Sequence, residues 1–381
     1  MVNSMDDRYI SKQDEFIFLD ENNNELTTEQ LRNLIIQNRT NVTQKIKQKR
    51  FNRKTSTNDV INSIIGFAIG DAMGVPFEFQ DKGTFSRLNP EKKMCGNMSH
   101  NQPIGSWSDD TSMVLATIDS IIESGKIDYD NIAEKFCDWV YKSENTASGV
   151  VFDIGNTTSQ AIMNFVSSKN NSIDCGLKGE HNSGNGSLMR MLPIALFYYF
   201  SNKDSIEVKI DSINKVSSIT HANEECKLAC SIYCLFVYYL MQGYTKETAY
   251  DMIQNFDFKS YYNQQVIDKY ERILDGTLTI LPKEKVKSSG YVIDTLDAAI
   301  WTILHTNSFE DSIVEAINFG NDTDTLAAIV GSLAGILYSS ENIPKEWLNS
   351  TLKIDYIKEK AEVFAKMIKN IDFKEEHMFR L

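Results

Sequence analysis

Residues 61–74 read INSIIGFAIGDAMG, and residues 326–338 read LAAIVGSLAGILY. In the first stretch apolar residues recur every three to four positions, which is the spacing of an amphipathic α-helix. The second stretch is apolar on nearly every face, which indicates a helix at the centre of a bundle. Glycine stands at every fourth position in both, as Gly66, Gly70 and Gly74 and as Gly331 and Gly335. Because glycine weakens a helix by about 1 kcal/mol relative to alanine, the repeat predicts close approach of another helix or of a ligand.

Helical periodicity continues on both sides of these stretches, from about residue 58 to residue 375. Residues 113–122 have the amphipathic pattern, and residues 219–241 are apolar on nearly every face. The chain has only six prolines and few alternating, strand-like runs. We therefore predict an all-α fold, a large helical bundle, for residues 56–381.

The first 55 residues have a different character. Residues 16–19 are apolar and precede the polar residues 20–24, which predicts a short strand and a turn. Thr27 and Gln30 have the spacing of a capping box and predict a helix after them. A basic run at residues 45–54 is typical of a solvated helix end or linker, or else of a docking or targeting patch. We expect residues 1–55 to be an N-terminal extension, partly ordered or linker.

Composition excludes several classes of protein. The chain of 381 residues is 42% hydrophobic and 24% charged, as in soluble globular proteins, and its net charge of −13 argues against general nucleic-acid or membrane binding. The N-terminus lacks the apolar stretch of a signal peptide, and no run approaches the roughly 20 apolar residues that span a bilayer. Cys226, Cys230 and Cys234 follow one helical face, which predicts a stripe of buried, reduced thiols. These features predict an intracellular, cytoplasmic location.

Two acidic motifs precede apolar helices. They are Gly105-Ser106-Trp107-Ser108-Asp109-Asp110-Thr111, before a helix expected near Ser112, and Gly320-Asn321-Asp322-Thr323-Asp324-Thr325. Serine, threonine and aspartate are the preferred N-cap residues, so one such motif alone is typical of a helix cap. Each motif, however, has more acid than a cap uses, and the apolar helices predict buried N-termini. Buried carboxylates need cations, and hard divalent ions prefer oxygen ligands, so we interpret the four aspartates as ligands of two metal ions.

Three further features extend this site. Glu78 follows Pro76, which should end the preceding helix, although an acid in this position is by itself typical of a surface. Asp71 lies inside the helix and is expected to hold a helix start or neighbouring backbone. The segment 182–190 reads NSGNGSLMR, whose glycines would let backbone N–H groups approach a phosphate, although an ordinary turn before the helix at Leu192 fits equally. Arg190 could pair with a phosphate or with a core acid.

Taken in order, seven motifs resemble the ADP-ribosylglycohydrolase family across residues 58–350. The similarity is greatest to the branch that contains the dinitrogenase reductase-activating glycohydrolase and acts on ADP-ribosyl-arginine. The motifs are Gly70–Gly74, Trp107–Thr111, Phe152–Thr158, Asn185–Arg190, Thr220-His221, Gly290–Val292 with Asp294-Thr295, and Asp322–Thr325.

The resemblance implies an orthogonal all-α bundle with two Mg²⁺ or Mn²⁺ ions at its centre. The implied metal ligands are Glu78, Ser108, Asp109, Asp110, Asp322, Asp324 and Thr325. Ser108 stands where family members commonly have threonine, and the hydroxyl is preserved. The implied substrate-binding residues are Asn185, Gly186 and Ser187 along the phosphates, and His221 and Tyr291 near the ribose and adenine. From the residues alone, His221 could equally be a core histidine.

The implied reaction is hydrolysis of the bond between the anomeric carbon of a ribose and a side-chain nitrogen or oxygen. Metal ions would supply an activated water, and a carboxylate would move protons. The catalytic candidates are Glu78, Asp153 and Asp324, and the choice between Glu78 and Asp153 as the proton-transfer group is open.

ADP-ribosyl-arginine is the preferred substrate linkage. The expected partner is an ADP-ribosylated protein or a small molecule that contains ADP-ribose. The alternatives are ADP-ribosyl-serine, O-acetyl-ADP-ribose, a non-enzymatic relative that binds ADP-ribose, and a metal-dependent phosphohydrolase. A phosphohydrolase site usually adds histidines, and the chain has only five.

Overall fold

The computed structural model describes residues 9–12, 15–18, 56–168, 171–201, 203–339 and 342–371. The chain divides into two compact units, Met1–Phe51 and Asn52–Leu381. In the first unit, strands β1 (Tyr9–Lys12) and β2 (Glu15–Phe18) pair antiparallel, so most of the strand predicted at residues 16–19 lies in β2. The predicted turn at residues 20–24, the helix after Thr27 and the basic run at 45–54 lie outside the described residues.

The second unit is built from α-helices joined by turns and short 3-10 helices, which confirms the predicted all-α fold class. In chain order its described α-helices are α1 (Thr57–Gly74), α2 (Thr84–Leu88), α3 (Asp109–Ser124), α4 (Tyr129–Lys142), α5 (Asn156–Ser168), α6 (Leu192–Phe200), α7 (Ile206–Ser218), α8 (Glu224–Met241), α9 (Lys246–Gln254), α10 (Gln264–Asp268), α11 (Glu271–Leu274), α12 (Val292–His305), α13 (Phe309–Ile317), α14 (Thr323–Tyr338), α15 (Lys345–Ser350) and α16 (Ile354–Lys369).

Helices α1 and α14 pack against each other along their glycine stripes. A Cβ atom built at Gly66 would lie 2.3 Å from the carbonyl oxygen of Gly331, and one at Gly70 would lie 2.0 Å from that of Ala327. A Cβ atom at Gly74 would lie 2.4 Å from Cα of Asp324. The repeat therefore allows the contact between helices that the sequence predicted, and it brings the C-terminal end of α1 against the N-terminal end of α14.

These helices lie in the interior of the second unit. The segment Thr57–Phe77 has the length and apolar composition of a membrane span, which the sequence analysis did not expect, but 94% of its apolar window is buried inside the protein. Its burial identifies α1 as a core helix. In α8 the thiols of Cys226, Cys230 and Cys234 are free and buried, which confirms the predicted stripe.

Candidate metal centre and active site

Helix α3 begins at Asp109 rather than near Ser112, so Asp109 and Asp110 form its first turn. Asp71 of α1 accepts hydrogen bonds from the backbone N–H groups of Ser108 at 2.9 Å and of Thr111 at 3.0 Å. The Ser108 hydroxyl caps the N–H of Asp110 at 3.3 Å. Asp71 and Ser108 therefore cap this helix start, which confirms the expectation for Asp71, and capping does not require the carboxylates of Asp109 and Asp110.

The second acidic motif lies beside the first. Asp322 precedes α14, and Asp324 lies in its first turn. The Thr325 hydroxyl donates to Oδ2 of Asp110 at 3.1 Å, which joins residues 215 positions apart in the chain. The side-chain amide of Asn185 donates to Oδ2 of Asp322 at 2.7 Å. The two motifs thus meet in one buried region between α1, α3 and α14.

Glu78 is brought to this region by a pair of hydrogen-bonded loops. The N–H of Phe79 donates to the carbonyl of Asn321 at 2.6 Å, and the N–H of Asn321 donates to the carbonyl of Gln80 at 2.8 Å. Phe79 and Asn321 both have left-handed backbone, with φ of 62° and 60°, a conformation that occurs at functional sites more often than elsewhere. As a result, carboxylate oxygens of Glu78, Asp322 and Asp324 lie within 4.8 Å of one another.

His100 and Asp153 lie on the other side of Glu78. Nε2 of His100 hydrogen-bonds to Oε2 of Glu78 and lies 3.8 Å from Oδ1 of Asp153. The rings of Phe79 and Phe152 lie 5.8 and 5.5 Å from the His100 ring. The sequence analysis did not identify His100, which ends the short 3-10 helix Met98–His100, in a stretch whose sequence has no helical periodicity. Its only signal there was the scarcity of histidine in a chain that has five.

The acids raise one another's pKa values. Burial, followed by the charge of Asp322, raises the pKa of Glu78 to about 8, and burial, followed by the charge of Glu78, raises that of Asp153 to about 7. The pKa values of Asp109, Asp110 and Asp324 also lie well above the usual range. Burial is the main cause, and the charges of neighbouring carboxylates come next.

Several of these carboxylate oxygens lack hydrogen-bond donors. Within the described part of the chain, both side-chain oxygens of Asp324 and Oδ1 of Asp110 are buried without a hydrogen-bond partner. Buried oxygens of this kind are unfavourable unless a donor or a cation meets them. Carboxylate and hydroxyl oxygens are the ligands that hard divalent cations prefer, so this group of residues fits a divalent-cation site.

The glycine-containing loop adjoins the acidic cluster. A 3-10 helix spans Asn185–Arg190, and the N–H of Asn185 donates to the carbonyl of Gly290 at 3.0 Å. A Cβ atom built at Gly186 would lie 2.7 Å from Cε1 of His221, so only glycine fits under this ring. Tyr291 is half-exposed and donates its hydroxyl to Glu225 at 2.7 Å. Asn185, Gly186 and His221 are therefore gathered in one place, with the backbone of Tyr291 paired to Gly184.

Two side chains of this loop point into the core. Ser187 is fully buried, and its hydroxyl accepts a hydrogen bond from Ser217 at 2.9 Å. Arg190 is also fully buried and donates to the carbonyl of Val216 at 3.0 Å and to the hydroxyl of Thr220 at 2.8 Å. The Ser187 side chain is therefore not at an accessible surface, contrary to its expected contact with a phosphate. Among the described residues, Arg190 is paired with Val216 and Thr220 and not with a core acid.

Comparison with known proteins identifies the family. The model of the ADP-ribosylglycohydrolase family matches residues 52–373. The chain belongs to the ADP-ribosylglycohydrolase family. It is 32% identical over 314 residues to the ADP-ribosylarginine hydrolase Tri1 of Serratia proteamaculans (strain 568), an alignment that covers 82% of this chain and 80% of the relative.

More distant members of the ADP-ribosylglycohydrolase family show the same relationship. The ADP-ribosyl-[dinitrogen reductase] glycohydrolase of Rhodospirillum rubrum is 27% identical over 297 residues, 76% of this chain and 88% of the relative. A solved structure described as an ADP-ribosylglycohydrolase-related protein complex superposes with a TM-score of 0.68 at 26% identity, covering 82% of this chain and 98% of the other. The predicted resemblance is confirmed, and as a member of this family the protein is a glycohydrolase.

Proposed function

We propose that this protein hydrolyses the N-glycosidic bond between ADP-ribose and an arginine side chain, using two divalent cations, Mg²⁺ or Mn²⁺. The observation that carries the proposal is the meeting of Glu78, Asp322 and Asp324, whose carboxylate oxygens lie within 4.8 Å of one another, with Glu78 and Asp324 buried. Such a concentration of negative charge is unfavourable by itself and favourable around cations. It adjoins a glycine-containing loop that suits a diphosphate.

The preference for arginine is supported by the relatives. Two of them, from Serratia proteamaculans and Pseudomonas putida (strain GB-1), are named ADP-ribosylarginine hydrolase and are 32% and 31% identical to this chain. The motif Phe152–Thr158 resembles the arginine-directed branch of the family, and its Asp153 lies beside Glu78 and His100. ADP-ribosyl-serine and O-acetyl-ADP-ribose are the alternative substrates that an experiment must distinguish.

The proposed metal ligands share one region of the structure. They are Glu78, Ser108, Asp109, Asp110, Asp322, Asp324 and Thr325. The chemistry that divalent cations supply when bound is polarisation of substrate oxygens and a water molecule of lowered pKa. The carboxylate oxygens of Asp324 and Asp110 that lack hydrogen-bond donors are the ones that a bound cation would satisfy.

The chain's own residues then have separate tasks. Hydrolysis breaks the bond from the anomeric carbon to nitrogen, places a hydroxyl on that carbon and delivers a proton to the leaving guanidine. We assign proton transfer to Glu78 or Asp153, both of which contact or approach His100. We assign the diphosphate to the loop at Asn185 and Gly186, with the N–H of Gly186 as the backbone donor, since the N–H of Asn185 already donates to the Gly290 carbonyl. These assignments place the scissile bond between the carboxylate cluster and the loop.

A substrate comparison tests the proposal. Peptides with a single ADP-ribosyl-arginine or ADP-ribosyl-serine, and O-acetyl-ADP-ribose, would each be incubated with the protein and Mn²⁺, and released ADP-ribose measured by chromatography. We expect fastest release from the arginine peptide. Release of AMP would instead indicate a phosphohydrolase, and binding without release a non-enzymatic relative.

A double substitution tests the cluster itself. Asp109→Ala with Asp324→Ala should abolish release, whereas Asp355→Asn, which alters a side chain that is 97% exposed, should not change it. Activity that survives the double substitution would contradict the proposed site. Restoring activity to a chelated sample by Mg²⁺ and by Mn²⁺ separately would show which cation the protein uses.

We further propose that residues 56–381 form the catalytic domain and that residues 1–55 are an extension of it. The family model begins close to this boundary, at residue 52. We also propose a cytoplasmic location, which is supported by the free thiols of Cys226, Cys230 and Cys234, as expected in a reducing compartment. The expected partners are ADP-ribosylated proteins or small molecules that contain ADP-ribose.

A further inference from the structure

A buried chain of hydrogen bonds runs from Arg190 to His221. Nη2 of Arg190 lies 2.8 Å from Oγ1 of Thr220, and this oxygen lies 2.9 Å from Nδ1 of His221. All three side chains are buried, with exposures of 0%, 0% and 3%. The guanidinium also lies over the Phe136 ring, with 4.9 Å from Cζ to the ring centroid, which favours its position.

The positions of the hydrogens in this chain follow from its chemistry. A guanidinium only donates, so Arg190 occupies one lone pair of Oγ1 of Thr220. If Nδ1–H of His221 donated to the same oxygen, the hydroxyl hydrogen of Thr220 would have no acceptor, since Oγ1 has only these two partners among the described residues. If the hydroxyl donates to Nδ1 instead, both Oγ1 of Thr220 and Nδ1 of His221 are satisfied. Nδ1 is therefore the acceptor, and the proton of the neutral ring is on Nε2.

The surroundings keep this ring neutral. Burial, followed by the charge of Arg190, lowers the pKa of His221 to about 3. At neutral pH only one ring nitrogen therefore has a proton, and the identity of that nitrogen decides whether the other edge of the ring donates or accepts.

Nε2 lies against the glycine-containing loop. It is 3.2 Å from the position of a Cβ atom built at Gly186 and 3.6 Å from one built at Gly184. Within the described part of the chain, no hydrogen bond is found for Nε2 of this buried side chain, whereas Nδ1 has its partner. An N–H donor that has no partner among the described residues and lies beside a loop of small residues can be met by an oxygen acceptor from outside the chain.

We propose that Arg190 and Thr220 are positioning residues that hold His221 in its Nε2-protonated tautomer, which presents an N–H donor to an oxygen of ADP-ribose bound at the loop Gly184–Gly186. The identity of the ligand rests on the proposed function. The tautomer does not, because it follows from the hydrogen bonds inside the protein.

The tautomer is directly measurable. In protein labelled with ¹⁵N-histidine, the protonated and unprotonated nitrogens of a neutral imidazole have widely separated chemical shifts, and His221 is assigned from the spectrum of His221→Gln. We expect Nε2 of His221 to be the protonated nitrogen, in the chelated protein without ADP-ribose. A proton on Nδ1 would overturn the proposal.

Binding of ADP-ribose to matched variants tests the consequence. Thr220→Val keeps the shape of the side chain but removes the hydroxyl, and we expect about tenfold weaker binding by calorimetry, the size of one hydrogen bond. Thr220→Ser restores the hydroxyl and should bring back both the affinity and the ¹⁵N pattern. Thr302→Val, the same change at a fully buried threonine of α12, controls for loss of stability and should bind as the unchanged protein does.

The outcomes separate this inference from the proposed function. Unweakened binding by a folded Thr220→Val protein, with the ¹⁵N pattern unchanged, would overturn the positioning role. If Thr220→Val does not fold, the spectrum of the unchanged protein still decides the tautomer. A protein with its proton on Nε2 that binds no ADP-ribose upholds the hydrogen-bond chain and contradicts the proposed function alone.

Discussion

Asp324 is 1% exposed, and burial is the largest cause of its raised pKa. The negative charges of Glu78, Asp153 and Asp322 raise that pKa further. Without cations, an additional negative charge in this position opposes folding, because both burial and like charges disfavour the ionised form. The same charge is what a divalent ion would bind. One substitution at this residue should therefore have opposite effects on stability and on activity.

We predict that Asp324→Asn is more stable to heat than the unchanged protein in EDTA, and that it releases ADP-ribose about 100-fold more slowly with Mn²⁺. Thermal unfolding with EDTA and with Mn²⁺, together with the rate of release, would check both effects. Asp355→Asn, at a fully exposed site, should alter neither. Equal stabilisation of Asp324→Asn and of the unchanged protein by Mn²⁺ would show that this residue is not a ligand.

His100 is expected to act through Glu78, to which it is hydrogen-bonded. A side chain that orients a metal ligand typically contributes 10–100-fold to metal affinity or activity. We predict that His100→Ala lowers kcat/KM by roughly tenfold and weakens Mn²⁺ binding measured by calorimetry. His305→Ala, at a histidine whose Nδ1 hydrogen-bonds to the Trp301 carbonyl at 2.8 Å, is the control. Unchanged Mn²⁺ affinity in His100→Ala would contradict the positioning role.

Asp297 is an acid whose burial the proposed reaction does not explain. It is 5% exposed, its Oδ1 has no hydrogen-bond partner in the described residues, and Arg272 is 4.0 Å from Oδ2. Burial raises its pKa to about 7. The folded protein therefore holds this proton up to about pH 7, whereas the unfolded chain releases it near pH 4. The free energy of unfolding therefore falls as the pH rises between these values, because the unfolded chain ionises Asp297 and the folded protein does not.

We predict that Asp297→Asn stabilises the protein relative to the unchanged chain by an amount that grows from pH 4 to pH 7, on the order of 4 kcal/mol at pH 8. Urea unfolding of both proteins at pH 5 and pH 8 would measure it. A difference in unfolding free energy that is the same at both pH values would contradict the raised pKa.

At the scale of elements, the contact between α1 and α14 sets the position of the site. Gly74 at the end of α1 lies against Asp324 at the start of α14, and the Thr323 hydroxyl donates to the Gly74 carbonyl at 2.8 Å. The backbones can approach this closely only because glycine occupies the contact. Any side chain there would separate Asp71 and its partner helix α3 from the acids of α14.

We predict that Gly70→Ala destabilises the protein by roughly 2–3 kcal/mol, because the added Cβ atom would lie 2.0 Å from the Ala327 carbonyl oxygen, and rigid backbone must move. Urea unfolding would measure the change. The matched control is Gly155→Ala, where the nearest atom is 4.0 Å away and the change should be small. Equal effects at the two glycines would contradict the tight packing of α1 on α14.

The same elements show which features of the fold and of the candidate site could be predicted from the sequence. The glycine repeats predicted close packing, and the hydroxyl-acid motifs predicted helix starts, because both depend on local backbone chemistry. The meeting of the two acidic motifs, which the hydrogen bond from Thr325 to Asp110 joins, was implied only by an argument about burial and by the family resemblance. The contacts of His100 and Asp297 were not predicted, because they depend on the path of irregular loops and on packing between distant segments, which leave no periodic pattern in the sequence.

At the scale of the whole molecule, the proposed cation ligands come from three separate parts of the second unit. Glu78 follows α1, Asp109 and Asp110 begin α3, and Asp324 begins α14. An ion held by all three would bind the folded chain and not the unfolded one, since only folding brings these segments together. Folding and cation binding should then be linked.

We predict that Mn²⁺ at about 100 times its dissociation constant stabilises the protein by about 2.7 kcal/mol, which corresponds to a rise of roughly 5 °C in Tm for a unit of this size. Thermal unfolding at increasing Mn²⁺ concentrations would show whether Tm rises steadily with the logarithm of concentration above the dissociation constant. The double variant Asp109→Ala with Asp324→Ala separates site binding from general effects of the salt, because it retains the rest of the surface. An equal rise in Tm for that variant would mean that the cation acts elsewhere on the protein, and the carboxylates would then need another explanation for their burial.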